Sequence, residues 1–213
     1  MDLKEISNFI TSSAKSLNIK KWDFGASFSN DFSVQVDKGI AKQLKASQKQ
    51  VLTLRVWNKK NLVGITTTSD LSENGLKKAL YQANLASDYG NKNELTDFSP
   101  LAKDPIKDIK QAKRSPAGIK KLLETLRFAE SELLKKHSAI KTIPYNGLSE
   151  SFYKRIYANS EGAQRSYAKS QAAIYLYARA EENNRKPRSS GSVKIGYGLE
   201  DIDINSCIDE AAE

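Results

Sequence analysis

The sequence predicts an α+β fold in which antiparallel sheets are covered by helices on one face, as a two-layer sandwich. Three observations indicate this fold class. Segments with the alternation of half-buried strands follow one another through residues 22–68 and 140–197. Most turns between them are too short to hold a crossover, which implies antiparallel pairing. Amphipathic helical patterns begin the chain and recur at 72–87 and 115–134.

The first predicted region covers residues 1–95. It opens with a helix over 3–17, in which apolar residues recur at helical spacing on one face. Short alternating segments predict strands at 22–28, 32–36, 43–46, 51–57 and 62–68. A second helix is predicted from Asp70 to residue 87. We expect the two helices to cover one face of the sheet.

Residues 96–114 are predicted to be a linker, or a connection that follows the surface. Pro100 and Pro105 break any helix, and the stretch 103–110 is polar and charged. A short helical turn is expected near 106–112. The linker separates the first region from a second predicted region, 115–213.

The second region is predicted to begin with a helix, because Ser115 is a good N-cap and Pro116 suits the first helical position. Strands are expected at 140–145, 151–158, 164–181 and around 193–197, with a polar loop at 181–191. The hairpin that turns at 159–162 has one face of small residues and one face rich in tyrosine.

The chain ends in a helical pattern. Asp203 is a good N-cap, and the apolar residues that follow, including Cys207 and Ile208, fall on one face. The pattern stops at Glu213 without a glycine or another C-cap. We therefore expect the second region to be truncated before a C-terminal domain; the alternative is a natural C-terminus that frays.

The composition limits the chemistry of the chain. Among 213 residues there is one cysteine, Cys207, and one histidine, His137, which excludes a disulfide framework and most catalytic zinc sites. The net charge of +9 permits contact with phosphates, but the lysines are spread over every segment, as on solvated faces. No apolar run approaches the roughly 20 residues that span a bilayer, and the start is not a signal peptide. We expect a cytoplasmic protein.

Neither His137 nor Cys207 is expected to be catalytic. His137 could be a general base or a metal ligand, but it ends a predicted helix, where histidines interact with the last carbonyls. Cys207 could be a nucleophile near a helix N-terminus. It lies on an apolar stripe, however, and is expected to be a small buried residue.

Several carboxylates could form an acid–base pair or bind a hard cation. They are Glu181, Glu182, Asp201, Asp203, Asp209 and Glu210. Adjacent strand residues point to opposite faces, so the two glutamates are not a natural pair, and helix capping explains Asp201 and Asp203. No catalytic, cofactor-binding or metal-ligating residue is therefore predicted.

Two further groups of residues allow more than one interpretation. Thr66, Thr67 and Thr68 could contact phosphate or peptide, although a threonine-rich strand edge is commoner. A second group could form an aromatic and basic nucleic-acid platform, a surface that packs against another domain or subunit, or a solvated face. It consists of Tyr153, Tyr157, Tyr167, Tyr175 and Tyr177 with Lys154, Arg155, Arg165 and Lys169.

Some stretches resemble a known family. Residues 62–80 read Leu-Val-Gly-Ile-Thr-Thr-Thr-Ser-Asp-Leu-Ser-Glu-Asn-Gly-Leu-Lys-Lys-Ala-Leu, and Asp37-Lys-Gly39 forms a strand–turn–strand element before them. Downstream are Ala158-Asn-Ser-Glu-Gly162, Ala180-Glu-Glu-Asn183 and Gly198-Leu-Glu-Asp-Ile-Asp203. In order and spacing these resemble the N-terminal and middle regions of the TldD/PmbA family, also called modulators of DNA gyrase. The threonine run and the 180–183 element are closer to the PmbA type.

The resemblance implies a proteolytic system that acts on unfolded peptides. Its paralogues assemble as homodimers or heterodimers. TldD-type subunits carry a His-Glu-x-x-x-His zinc motif in a C-terminal domain, and PmbA-type subunits lack it and act as partners. The motif is absent from this sequence, so no catalytic residue is carried over and no cofactor is expected in this chain. Zinc is expected only in the C-terminal domain of a longer parent protein or of its partner.

The leading hypothesis is therefore an N-terminal scaffold fragment of a TldD/PmbA-type zinc metallopeptidase. It would contribute assembly and substrate-chamber surface rather than catalysis. Its expected partners are a family paralogue and unfolded peptide, with no membrane contact. The alternative is a basic nucleic-acid-binding module without enzymatic activity, which is the less favoured hypothesis.

Overall fold

The computed structural model describes residues 2–90, 97–106 and 114–213. Its helices are α1 (Leu3–Ser16), α2 (Glu73–Ala86), α3 (Gly118–Lys136) and α4 (Ile204–Ala212). Its strands are β1 (Lys21–Asp37), β2 (Ile40–Trp57), β3 (Val63–Thr68), β4 (Ile140–Asn159), β5 (Gln164–Ala180) and β6 (Arg188–Gly196). They form a six-stranded antiparallel sheet in the order β3-β2-β1-β4-β5-β6. The predicted α+β class is confirmed.

The chain is divided into two compact units. Unit 1 consists of Met1–Phe28, Lys49–Lys110 and Lys154–Ala168, and unit 2 consists of Ser29–Gln48, Gln111–Tyr153 and Lys169–Glu213. The sequential regions 1–95 and 115–213 stay a prediction. The helical turn expected near 106–112 lies outside the described residues, except for Ile106. Within the described ranges, no helix combines the length and the apolar character needed to cross a membrane.

The core of unit 1 lies between the sheet and two helices. Asp2 caps α1 by accepting from the Glu5 N–H, and Ser72 caps α2 by accepting from the Gly75 N–H. The buried side chains are contributed by α1, α2 and the first strands and include Ile6, Ile10, Phe24, Leu52, Leu54, Leu76 and Leu80. The predicted helices at 3–17 and 72–87 are confirmed, as is their position on one face of the sheet.

The core of unit 2 is built in the same way from α3, α4 and the strands of that unit. Its buried residues include Val34, Leu122, Leu126, Leu133, Ile174, Leu176, Cys207 and Ile208. The predicted small-residue face of β5 is buried, from Ala172 to Ala178. Asp203 caps α4 by accepting from the Ser206 N–H at 2.9 Å, as the sequence predicts.

The predicted start of α3 is wrong. The helix begins at Gly118, and Ala117 rather than Ser115 is its N-cap. Side chains from the strands hold the preceding backbone. The Arg114 N–H donates to Ser170 Oγ at 2.8 Å, and the Ala117 N–H donates to Glu150 Oε2 at 2.7 Å. Tertiary hydrogen bonds therefore override the local Ser-Pro signal.

The short strands predicted from alternation are parts of longer ones. β1 joins 22–28 to 32–36, β2 joins 43–46 to 51–57, and β4 joins 140–145 to 151–158. The alternation is lost at the join in β2 because residues 44–51 are exposed on both faces. β6 begins at Arg188, inside the predicted loop 181–191.

Candidate functional site

His137 and Cys207 occupy structural positions. His137 is the C-cap of α3, at the predicted end of this helix, and its ring Nδ1 accepts from the Ala139 N–H at 3.0 Å. Cys207 is buried in unit 2, with its Sγ 3.7 Å from the Ser192 carbonyl oxygen. Burial raises the pKa of the Cys207 thiol. A buried, protonated thiol is a poor nucleophile.

The predicted candidate carboxylates are each held by other residues. Asp201 pairs with Arg114, Asp209 with Lys136, Glu210 with Lys194, Glu181 with Arg179 and Glu182 with Arg185. Asp203 caps α4. Hydrogen bonds from Arg114 lower the pKa of Asp201, and the hydrogen bond from Lys194 lowers the pKa of Glu210. Each of these carboxylates is thus engaged in an ion pair or a cap, and no acid–base pair is formed among them.

Among the residues in the described ranges, no three His, Cys, Asp or Glu side chains lie close enough together to hold a metal ion. A shallow polar cavity of about 440 Å³ lies between α1 and the β4–β5 turn. Hydroxyl and amide side chains line it together with Lys15 and Lys20. This arrangement offers hydrogen-bonding groups, but no acid–base pair and no metal-ligand set.

An ion pair in unit 1 joins a buried carboxylate to a partly exposed arginine. Asp23 is buried and paired with Arg55, whose Nε donates to Asp23 Oδ1 at 2.8 Å. Tyr157 donates to Asp23 Oδ2 at 3.2 Å. The hydrogen bond to Asp23 raises the pKa of Arg55, and burial raises that of Tyr157. No local sequence signal links Asp23 to Arg55, which lies on the neighbouring strand.

Glu130, Glu150 and Asn146 are buried polar side chains of unit 2 that bind backbone. Glu130 of α3 accepts from the Lys38 and Gly39 N–H groups in the β1–β2 turn, at 3.0 and 2.7 Å. Glu150 accepts from the Ala117 and Leu199 N–H groups. Asn146 accepts from the Val36 N–H and donates to the Val36 carbonyl. These residues hold turns and strand ends in place, as buried polar groups with full hydrogen bonding do.

The threonine run lies on an edge strand, as the commoner interpretation predicts. β3 is the last strand on its side of the sheet. Thr67 and Thr53 face each other across the β2–β3 pair with their Oγ1 atoms 3.1 Å apart, and Thr68 Oγ1 accepts from the Asp70 N–H. Gly64 precedes the run, and a Cβ there would overlap the Ala83 carbonyl and the Ser87 nitrogen of the α2 end. The glycine allows this close approach.

The tyrosines and basic residues belong to both units: Lys154, Arg155, Tyr157, Arg165 and Tyr167 to unit 1, and Tyr153, Lys169, Tyr175 and Tyr177 to unit 2. In unit 1, Tyr157 is held by Asp23, and Arg165 donates to the Asp104 carbonyl. In unit 2, Tyr175 lies over Gly147 and its hydroxyl accepts from Gln35 at 2.9 Å. The nucleic-acid hypothesis stays a prediction.

The open face of β5 and β6 carries an apolar row in unit 2. The strand register pairs Ala173 with Ile195 and Tyr175 with Val193. Val193 and Ile195 are 51% and 65% exposed. Large apolar side chains that stay exposed on neighbouring strands are typical of an interaction surface.

Comparison with known proteins gives one family match. Residues 112–213 match the PmbA/TldA metallopeptidase central domain. No curated protein sequence matches the chain.

Several solved structures share the fold. TldE from Thermococcus kodakarensis matches 97% of the chain with a TM-score of 0.81 at 15% identity, and the match covers 46% of TldE. A candidate modulator of a DNA gyrase from Thermotoga maritima matches 99% with a TM-score of 0.80 at 15% identity, over 47% of its length. Another, from Bacteroides thetaiotaomicron, matches 98% with a TM-score of 0.77 at 12% identity, over 48% of its length. The chain thus spans about half the length of these proteins.

Proposed function

Since residues 112–213 match the central domain of the PmbA/TldD metallopeptidase family, we propose that the chain is a member of this family and a non-catalytic scaffold part of a zinc peptidase system. In this role it contributes subunit assembly and part of the surface of a chamber that admits unfolded peptides. The family match to the central domain is the observation that carries the proposal.

The chemistry of the described residues supports a scaffold role. The family implies a metal ion, but the residues present do not fit one. His137 accepts a hydrogen bond from a backbone N–H, and Cys207 is buried beside a backbone carbonyl. The candidate carboxylates are held in ion pairs and helix caps, and no metal-binding cluster is found among the described residues. No catalytic step is therefore assigned to this chain. What it offers is an exposed apolar surface and strand edges.

We assign the assembly role to the open face of β5 and β6 in unit 2. Tyr177, Val193 and Ile195 are exposed there, and Tyr175 lies beside Val193. Tyrosine and large apolar residues are enriched at the centre of subunit interfaces. The occupant of this face is a family paralogue, with which the chain forms a dimer.

Co-purification tests this assignment. The chain is expressed together with a family subunit from the same genome that carries the His-Glu-x-x-x-His motif, and the complex is measured by size-exclusion chromatography with light scattering. We expect a stable complex with the wild type and loss of the complex with Ile195→Lys, because a buried, unpaired charge is costly.

The matched control is Leu85→Lys. Leu85 is also an exposed apolar residue, but it lies on α2 in unit 1, so this variant is expected to assemble normally. Failure of the wild type to form any dimer would contradict the proposal. Equal assembly of both lysine variants would contradict only the choice of surface.

A further inference from the structure

One end of β2 has a free edge in unit 2. The β2–β3 pair extends only from Leu52 opposite Thr68 to Trp57 opposite Val63. Residues 40–48 therefore have β1 on one side and, among the described residues, no strand on the other. Most of their side chains are exposed, with Ala41 and Gln43 partly so. A long free edge is a template for pairing with another chain.

The turn that begins this edge fixes its hydrogen-bonding pattern. Lys38 and Gly39 both have positive φ, 52° and 76°, as in the two-residue turns that favour tight hairpins. Glu130 holds both turn N–H groups. A two-residue loop makes Asp37 and Ile40 the hydrogen-bonded pair that closes the hairpin. Ala41 and Gln43 consequently direct their N–H and C=O groups away from β1, toward the free side.

The side chains along the edge specify the chemistry of a partner. Residues 38–48 include three lysines, Lys38, Lys42 and Lys45, and no acidic residue. Lys42 shares a face with Ile40 and Leu44 by strand alternation, and these two apolar side chains are 71% and 51% exposed. A second copy paired through the same edge has no acidic side chain to place opposite Lys42, and the register centred on Lys42 would set two lysines opposite each other, which is unfavourable. An acidic residue opposite Lys42, flanked by apolar residues, would be favourable.

We propose that the free edge of β2, Ile40–Gln48, binds an extended acidic peptide as an added strand. The peptide backbone pairs with Ala41 and Gln43, and its side chains follow an apolar–acidic–apolar alternation opposite Ile40, Lys42 and Leu44. This inference rests on the proposed function for the kind of ligand, which is an unfolded chain. It adds the binding site on this chain and the sequence preference of the peptide.

The test uses the whole chain and a labelled peptide, Thr-Val-Thr-Glu-Thr-Val-Thr, with binding measured by fluorescence anisotropy. Two further peptides carry Lys in place of Glu, or N-methyl groups on the central residues. We expect the Glu peptide to bind best, the N-methylated peptide not to bind, and the affinity for the Glu peptide to fall as salt screens the exposed charges.

Charge reversal identifies the edge. Lys42→Glu is expected to weaken the binding of the Glu peptide by about tenfold and to favour the Lys peptide instead, since the sign of the cross-strand pair changes. Lys120→Glu is the matched control, because Lys120 is exposed on α3 and the change in net charge is the same. This control is expected to bind the Glu peptide as the wild type does.

The inference is overturned if the wild type does not distinguish the Glu and Lys peptides, or if the N-methylated peptide binds equally well. Concentration-dependent self-association that Lys42→Glu alters would make a second copy the occupant and would also overturn it. If no peptide binds while the dimer with the paralogue still forms, the edge assignment fails and the proposed scaffold role stands.

Discussion

The contact of Glu130 with the β1–β2 turn makes a direct stability prediction. Glu130 is buried on α3, and its two carboxylate oxygens accept from the Lys38 and Gly39 N–H groups at 3.0 and 2.7 Å. Glu130→Gln keeps the size of the side chain but replaces one accepting oxygen with an NH₂ group. One of the two N–H groups then faces a donor and loses its partner.

The magnitude follows from these two hydrogen bonds. A hydrogen bond to a charged group contributes about 1.5–3 kcal/mol, and a neutral one about 1 kcal/mol. The substitution removes one charge-assisted bond and turns the other into a neutral one. Lys38 and Gly39 are exposed, so water can replace part of the loss. We expect Glu130→Gln to lower the free energy of unfolding by about 2 kcal/mol.

Urea denaturation of both variants, with hydrogen exchange of the hairpin amides, measures this effect. Glu132→Gln is the control, because Glu132 lies on the same helix in an exposed pair with Lys135 at 2.8 Å. Such pairs contribute at most about 0.5 kcal/mol. Faster exchange at the Lys38 and Gly39 amides is expected only in Glu130→Gln. Equal stability of the two variants would refute the reasoning.

Three further predictions concern other parts of the molecule. Gly64→Ala should lower the free energy of unfolding by roughly 3 kcal/mol, because the new Cβ meets the backbone at the end of α2. Gly25→Ala is the control and should not destabilise the protein, because a Cβ there meets nothing within 4 Å. Urea denaturation of the two variants measures the difference. A thiol reagent should label Cys207 only as fast as the native structure opens, so labelling as fast as in the denatured chain would contradict its burial. Glu210 has its pKa lowered from 4.5 by the hydrogen bond from Lys194, so its contribution to stability is present above pH 4.5 and is lost as the pH falls through the lowered value. The stability difference between the wild type and Glu210→Gln, measured by urea denaturation, should shrink in that range, and a constant difference would argue against the ion pair.

The elements that the sequence predicts well are those with a strong local pattern. Alternation from Ala172 to Ala178 identifies the buried face of β5, and capping by Asp203 marks the start of α4. These signals involve residues close in sequence, so that the chain itself displays them.

The buried polar contacts could not be predicted in this way. Asp23 and Arg55 are 32 residues apart, and Glu130 is 91 residues from Gly39. A carboxylate at one position does not indicate which distant N–H or guanidinium group it meets. The start of α3 is predicted wrongly for the same reason. Glu150 and Ser170, which are distant in sequence, hold the backbone before the helix, and the helix starts at Gly118.

The resemblance to the family is recognised from the order and spacing of short sequence elements. Short elements around residues 62–80 and 158–203 resemble the family by their order and spacing, and the central-domain match covers 112–213. The solved structures are only 12–15% identical to the chain. At this level of identity few side chains are shared, so the roles of the residues in this chain follow from their own contacts.

The central claim, a scaffold without its own catalytic centre, is tested most directly by a peptidase assay on an unfolded peptide with zinc added. We expect no hydrolysis by the chain alone. We expect chelator-sensitive hydrolysis when the chain is in complex with the paralogue that carries His-Glu-x-x-x-His. Chelator-sensitive hydrolysis by the purified chain alone would contradict the account.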